Sequence, residues 1–508
     1  MSNTAPRRTL IRNARPLGYE NAFDAPSVAD ILIDGDTIVA IGPNLMPEGA
    51  DLENCTVIEG QDRLALPGFV NSHYHSHDTL LKGAFEALPL DIWSVLALPP
   101  AFPPRSAHEI RVRVLIGAAE CLLRGITTVQ DMVRLHPFSP DHLDIVLDAY
   151  EEIGLRAVVA PHFNDLSATN SAAFWDEEIP ASESWRLSGS VSTFPKDIPL
   201  AELIHETVGP RLKRTGIVTL GLGPSAPERC SPALLEAVAA MSERHDLQVF
   251  THVAESRGKT LHARLKMPEY GHSHIRYLAA CGLLGKQLTL AHSVWLDQAE
   301  IEMVAEAGTS VVLNPQGNLK TRSGIAPIGI YRDAGVNVAL GCDNCSCNDS
   351  QSMLQTMKAY AGLAAVEQPT GDSPSAADAF HAATQAGARA LGRSDIGILA
   401  PGMKADISLF RLSDICFVPL NSAVRQLVFG DAGPALDKVI VNGRLIVDDG
   451  KLLTIDMEDL RRDAEHCAAE LRGELNRIAG RVRPLYHHIE RAAQRAQLTE
   501  WRLVHHTG

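Results

Sequence analysis

Leu64-Ala-Leu-Pro-Gly-Phe-Val-Asn-Ser-His-Tyr-His-Ser-His-Asp-Thr-Leu-Leu-Lys-Gly83 is the stretch on which the reading of this chain turns. Its first half is short and apolar, with Pro67-Gly68 ahead of Phe69-Val70, and it becomes polar where a buried strand would stop. Residues i and i+2 of a strand share a face. His73 and His75 are therefore aimed together where strand gives way to loop, and two imidazoles so placed can chelate one metal ion. The pair alone also fits one histidine capping the loop and the other on the surface, so the assignment depends on further ligands elsewhere.

Outward from this stretch, the middle of the chain alternates apolar runs with amphipathic ones. The expected strands are Gly68–Ser72, Thr127–Asp131, Arg156–Ala160, Ile217–Leu222, Gln248–His252, Leu288–His292, Ser310–Asn314 and Asn337–Gly341. Helical spacing falls between most of them, as in Ala107–Arg124, Pro232–Arg244, Tyr270–Leu284, Leu296–Ala307 and Ser350–Ala365. Strands each followed by a helix or loop spell an α/β fold, a (β/α)8 TIM barrel. Residues 1–65 and 401–455 carry short β-like runs punctuated by turns such as Asp34-Gly35-Asp36, so a small β-sandwich built from both chain ends is expected. The expected units are 1–65 and 401–455 for the sandwich, 66–400 for the barrel, and 456–508 for a helical extension. That extension places Leu460, Cys467, Leu471, Leu475 and Ile478 at three- and four-residue spacing, ready to pack on the barrel or on a second subunit. The polar segment 164–199 fits neither strand nor helix and is expected near the barrel mouth.

At 508 residues the chain exceeds one ordinary core, and its 45% hydrophobic and 21% charged residues are those of a globular enzyme. A net charge of −15 argues against nucleic acid as a partner, and no membrane span is expected. Met1-Ser-Asn-Thr-Ala-Pro-Arg-Arg8 lacks the apolar core of a signal peptide, so a cytoplasmic location is expected. The nine cysteines are scattered except for Cys342, Cys345 and Cys347. With no second pair to complete four ligands, these three read as packing around a turn rather than as a thiolate site. His487-His488 and His505-His506 read as solvent-facing.

In a barrel of this kind the C-terminal strand ends face one pocket. His73 and His75 follow the first strand, His252 ends the fifth, His292 ends the sixth and Asp343 follows the eighth. A nitrogen-rich set with one carboxylate suits Zn²⁺ or Fe²⁺ better than Mg²⁺ or Ca²⁺. The fourth strand, Thr219-Leu-Gly-Leu-Gly-Pro-Ser225, offers no lysine to bridge a second metal, so one ion is expected. Glu255, three residues beyond His252, can reach the same pocket and move protons. Trp93, in the loop after the first strand, could stack on a planar ring, and His162 and Ser225 lie at the third and fourth strand ends.

Pro67-Gly-Phe-Val-Asn-Ser-His-Tyr-His75 with Leu81-Lys-Gly83, His252-Val-Ala-Glu255, Leu290-Ala-His292 and Leu340-Gly-Cys-Asp343 resemble the amidohydrolase superfamily. The similarity is closest to its branch of triazine hydrolases, S-adenosylhomocysteine deaminases and guanine deaminases. Asn318-Leu-Lys, Ser323-Gly-Ile-Ala-Pro327 and Pro401-Gly-Met-Lys-Ala-Asp406 extend it over roughly residues 28–450. The resemblance implies a mononuclear site, with His73, His75, His252 and Asp343 holding the metal. His292 would be an electrophile or additional ligand and Glu255 the proton shuttle, and a homodimer or larger assembly is implied. Three departures fall in the pocket: Gly223-Pro-Ser-Ala-Pro227 where the branch has Gly-Pro-His-Ala-Pro, Gly317-Asn318 for Ser-Asn, and Asn344-Cys-Ser-Cys-Asn348 for a Gly-rich run.

The reading that follows is a metal-dependent deaminase of a purine, pterin, pyrimidine or triazine, acting through attack of a metal-bound hydroxide. The same machinery could instead cleave a C–Cl, N-alkylamine, urea or amide bond. An inactive binding homologue is the third reading, and the intact ligand set speaks against it.

Overall fold

The computed structural model describes residues 8–45, 55–98, 104–167, 172–187, 199–367 and 373–500. The middle of the chain supplies the parallel strands β1 (Phe69–His75), β2 (Ile126–Val133), β3 (Arg156–Phe163), β4 (Val218–Leu220), β5 (Val249–Val253), β6 (Leu288–His292), β7 (Ser310–Leu313) and β8 (Asn337–Leu340). They form two parallel sheets, one carrying β1 to β4 and the other β5 to β8. A parallel bridge, Leu222 to Val249, links the sheets at one side. At the other, Asp343–Asn344, just beyond β8, pairs in parallel with Tyr74 and His75 of β1.

Period-two alternation sets the two faces of these strands. Val158 and Ala160 join Val70, Phe250, Val312 and Ala339 in one interior cluster. Ala157 and Val159 belong instead to the larger core shared with the surrounding helices. Both faces are thus buried, which is why β1 and β2 are buried along their whole length. The covering helices begin where side-chain oxygens meet orphan amides. Ser106, Ser139 and Ser231 each accept from the backbone N–H three residues on, and Pro140 and Pro232 open two of these helices.

One expected helix is shorter than its pattern. In place of Tyr270–Leu284 the helix runs His274–Ala280, preceded by a tight turn at Pro268–Tyr270. Gly271 and His272 both take positive φ, and Ser273 caps the first turn by accepting from the Arg276 amide. Apolar spacing does not register such a break.

The chain ends share one nine-stranded sheet. Arg8–Pro16, Ala29–Asp34, Thr37–Gly42, Cys55–Glu59 and Arg63–Pro67 come from the N-terminal side, and Ile407–Arg411, Leu436–Val441, Arg444–Asp448 and Lys451–Leu452 from the C-terminal side. The two groups join where Ile407–Arg411 runs antiparallel to Arg63–Pro67. Arg156, at the start of β3, donates two hydrogen bonds to Asp406 at 2.7 and 3.0 Å, with both side chains buried, and so ties this sheet to the parallel strands.

The extension forms helices Met457–Val482 and Tyr486–Leu498. They pack on their own chain: the first on Ala107–Leu122 and Leu90–Ala97, the second on Trp175–Glu178 and Arg257–Lys266. Val482, Leu485, Ile489 and Ala492 share a cluster with Ile92, Leu96, Trp175 and Leu187. His487 is exposed and His488 half-buried, while His505-His506 lies outside the described residues.

Candidate active site

The strand ends bring His73, His75, His252, His292 and Asp343 together. The Nε2 atoms of His73 and His75 are 3.2 Å apart, and those of His75 and His252 are 3.4 Å apart. Asp343 Oδ1 lies 3.5 Å from Nε2 of both His73 and His75. Asp343 Oδ2 faces His292 Nε2 at 3.9 Å.

These separations test what the cluster can hold. His75 Nδ1–H donates to the Met132 carbonyl and His252 Nδ1–H to the Ser225 carbonyl, each at 2.7 Å. Their Nε2 atoms are then bare lone pairs, and bare lone pairs at 3.4 Å repel unless a cation lies between them. Ligands about 2.0–2.1 Å from a tetrahedral ion lie about 3.4 Å from one another. Burial first, and then the neighbouring imidazoles, hold the pKa of His73 and of His252 well below the ordinary histidine value. Both are neutral at physiological pH, the form that binds metal. The donor set fits a single divalent ion.

Backbone geometry delivers these side chains. His292 and Asp343 adopt φ of +69° and +64°, a left-handed conformation that non-glycine residues hold only when the surroundings enforce it. The turn aims each side chain inward at the moment the strand ends. Gly341 lets β8 pass β1 closely, since a Cβ there would lie 2.7 Å from His73 Cβ and 2.5 Å from Asn314 Oδ1. Asn71 accepts from the Cys342 amide and donates to Gln351, whose own amide donates to the Asp343 carbonyl. Asn318 Oδ1 accepts from His292 Nδ1 at 2.8 Å and fixes that ring as well.

Glu255 Oε1 lies 3.6 Å from His292 Nε2, and Oε2 pairs with Lys259. Burial pushes the Glu255 carboxyl up, but His292 and Lys259 outweigh it and bring it down to about 2. The group is therefore ionised. These residues line a cavity of about 1180 Å³, part of it open to solvent.

The sequence pattern of the amidohydrolase family matches residues 64–446. The chain belongs to the amidohydrolase family. It is 33% identical to a 5'-deoxyadenosine deaminase of Methanothermobacter thermautotrophicus over 87% of this chain and 95% of the relative. It is 30% identical to a 5-methylthioadenosine/S-adenosylhomocysteine deaminase of Carboxydothermus hydrogenoformans over 90% and 96%. Among solved structures, a zinc complex of atrazine chlorohydrolase from Arthrobacter aurescens superposes with a TM-score of 0.77 at 26% identity, covering 91% of this chain and 100% of the other. An adenosine deaminase from Xanthomonas campestris with bound zinc gives 0.76 at 25%, covering 92% and 99%. This protein is a hydrolase of that metal-dependent family.

The structure shows how this amidohydrolase accommodates its departures. Ser225 stands where the branch carries an imidazole, yet its carbonyl still orients His252. At Gly317 a Cβ would come within 3.0 Å of Asp343 Oδ2 and 3.2 Å of Cys347 Sγ. The small residue leaves room for the Cys347 thiol, which donates to Asp343 Oδ2 at 3.3 Å. Cys342 meets Met353 and Thr356, and Cys345 meets Gln351, so the three thiols face separate partners rather than one centre. Burial raises all three thiol pKa values, that of Cys342 to about 12.

Trp93 sits on a helix, Leu90–Ala97, rather than in a loop, because Leu90, Trp93 and Ala97 give that segment a buried stripe. Its indole N–H donates to Ser346 and its ring borders the cavity. His162 also lines the cavity, its ring 6.3 Å from that of His252. Lys259, Asp91, Glu228, Arg134 and Arg229 line the same cavity and escaped the sequence reading. Only Lys259 carried a legible signal, its place four residues after Glu255 in the first turn of a helix that Ser256 caps.

Proposed function

We propose that this amidohydrolase is a deaminase of an amino-substituted nitrogen heterocycle: a purine, pterin, pyrimidine or triazine. Three ring nitrogens converging with the Asp343 carboxylate, beside an ionised Glu255 in a cavity wide enough for such a ring, carry the reading. The likeness to deaminases over nearly the whole chain supports it. His73, His75, His252 and Asp343 would hold one Zn²⁺, the ion in the two solved neighbours, with Fe²⁺ as the alternative.

A divalent ion held there supplies a Lewis acid that makes a water molecule acidic enough to attack at neutral pH. Asp343 accepts a proton from the attacking water. Glu255, ionised at the outset, must take up a proton before it can give one, so it relays a proton from the water to a ring nitrogen of the substrate. His292, fixed by Asn318, steadies charge developing on the attacked carbon's substituents. The C–N bond to the exocyclic nitrogen then breaks and ammonia leaves with the proton returned from Asp343. Trp93, His162 and Ser225 border the space for the ring.

The parallel strands support a closed (β/α)8 ring over 66–400. The chain-end sheet supports a β-sandwich of 1–65 and 401–455, its buried cluster of Ile11, Ile31, Ile38, Ile407 and Ile440 drawing on strands from both chain ends. Residues 456–508 form the extension. Exposed Ile415, Val418, Leu420 and Phe429 offer an apolar patch for a homodimer or larger assembly.

The test is ammonia release by Zn²⁺-loaded protein from a panel of amino-purines, pterins, pyrimidines and triazines, with Asp343→Asn as the blank. Ammonia from one class and none in the blank is expected. The likeness to atrazine chlorohydrolase favours a second reading, a chloride leaving group. Chloride release from chlorotriazines, with no ammonia from any amine, would replace the first reading by the second.

A further inference from the structure

The wall formed by the end of β2, the end of β3 and the turn after β4 carries two arginines that no carboxylate of the described residues meets within ion-pair distance. Arg134 and Arg229 both line the cavity. One N–H of each is anchored: Arg134 Nη1 donates to the Leu98 carbonyl at 2.8 Å, and Arg229 Nε donates to the Leu166 carbonyl at 3.2 Å. Arg105, Arg156, Arg211 and Arg264 each meet a carboxylate, while the buried Arg113, which does not line the cavity, donates to the Arg134 carbonyl at 3.3 Å. Arg134 and Arg229 meet none within ion-pair distance among the described residues. Glu228, next to Arg229 in sequence, opposes its charge without an ion-pair contact: it faces His274 at 3.7 Å, and burial raises its pKa to about 7, so at neutral pH it offsets Arg229 only in part. Burial, and then the charge of Arg229, lower the pKa of Arg134 to about 10. His162 completes this wall.

Two anchored guanidiniums opening on one cavity leave unmet demand for an acceptor. Burying a charge without a partner costs several kcal/mol, and the planar fork of arginine matches carboxylate and phosphate oxygens. We infer that Arg134 and Arg229 form an anion subsite, and that the heterocycle this enzyme takes carries a carboxylate or phosphate group. This rests on the deaminase reading for the heterocycle, not for the charge. Arg134 and Arg229 select the substrate by its anionic arm, while the strand-end cluster acts on the ring.

The experiment separates the two. Calorimetry on the Zn²⁺-loaded protein measures binding of inosine, inosine 5'-monophosphate and inosine 5'-carboxylate, none of which requires turnover. Ammonia release is measured in parallel from adenosine, adenosine 5'-monophosphate and adenosine 5'-carboxylate. An anionic member is expected to bind about 10- to 100-fold more tightly than its neutral counterpart, with the phosphate and carboxylate arms telling the two groups apart. Arg134→Met and Arg229→Met should each collapse that ratio toward one, and added salt should shrink it in the wild type. Unchanged thermal melting in each variant keeps the comparison valid. Anion preference in binding without ammonia from any member sinks the deaminase reading and leaves the subsite standing. Ammonia with no preference for the anionic members, a ratio unaffected by either variant, or no measurable binding of either anionic member overturns the subsite.

Discussion

The candidate metal centre and the wall of the pocket beside it are built by different means. At the centre every candidate ligand lies within the last three residues of a strand or just beyond one, and strand pairing fixes their mutual height. Val253 pairs with His292, and Asp343 with Tyr74 between the two β1 histidines. The wall draws on a helix at Leu90–Ala97, the 175–187 segment, the first turn of Arg257–Lys266 and Val482 of the extension. The first kind of site follows from register, the second from long-range packing. Chemistry and substrate choice can therefore vary separately in one fold, and mutations on the two sides should read out differently.

The sharpest separation is expected at Asp343. Asp343→Asn removes both a ligand charge and the acceptor for the water's proton, and kcat should fall about 10⁴-fold. Metal content by atomic absorption should fall with it, while circular dichroism stays native. Near-wild-type turnover with full metal would break the assignment of the centre. Glu255→Gln should cost about 10³-fold in kcat with metal content unchanged, because Glu255 faces His292 and Lys259 rather than the converging Nε2 atoms. Metal lost alongside activity would place Glu255 among the ligands and merge two roles kept apart here.

How much of this was legible follows the same division. The strand-end histidines and Asp343 could be read because period-two alternation and a barrel's common pocket are local rules with one outcome. Glu255 could be read because it follows His252 by three residues, just past the end of β5. Asp91, Glu228, Arg134 and Arg229 could not: each is one charged residue among many, and only tertiary packing decides which enter the cavity. Trp93 is legible as a pocket residue but not as a helical one, since eight residues are few for helical spacing to declare itself. The cap at Ser273 and the positive φ of Gly271 and His272 cut a helix whose apolar pattern runs on past them. The extension's buried stripe was legible; that it would cover its own pocket was not.

On the wall, Glu228 gives a pH signature. Burial raises its pKa from the ordinary 4.5 to about 7, so the folded protein holds a proton that the unfolded chain releases between those values. Stability should therefore decline as pH rises from about 4.5 through 7. Glu228→Gln cannot lose that proton. It should be more stable than wild type above pH 8 by up to about 3 kcal/mol in urea melts, with the gap closing below pH 4.5. A gap that is constant across pH would show that folding leaves the Glu228 pKa where it is in the unfolded chain, against its raised value.

The smallest effect expected is also the one that bears most directly on how the wall is assembled. Val482 is buried at the end of Met457–Val482, borders the cavity and packs with Ile92, Leu96 and Trp175. Val482→Ala removes two methyl groups from that junction and should cost about 1 to 2 kcal/mol of stability. If the extension shapes the pocket, KM should rise about threefold while metal content holds, because the residues it supports are those bordering the substrate rather than those converging at the strand ends. A stability loss with KM unmoved would reduce the extension to a strap, and the wall would then end at Trp175 and Leu187. Equal losses in kcat and metal content would mean that packing at the rim reaches the strand ends, and the separation between centre and wall would not hold.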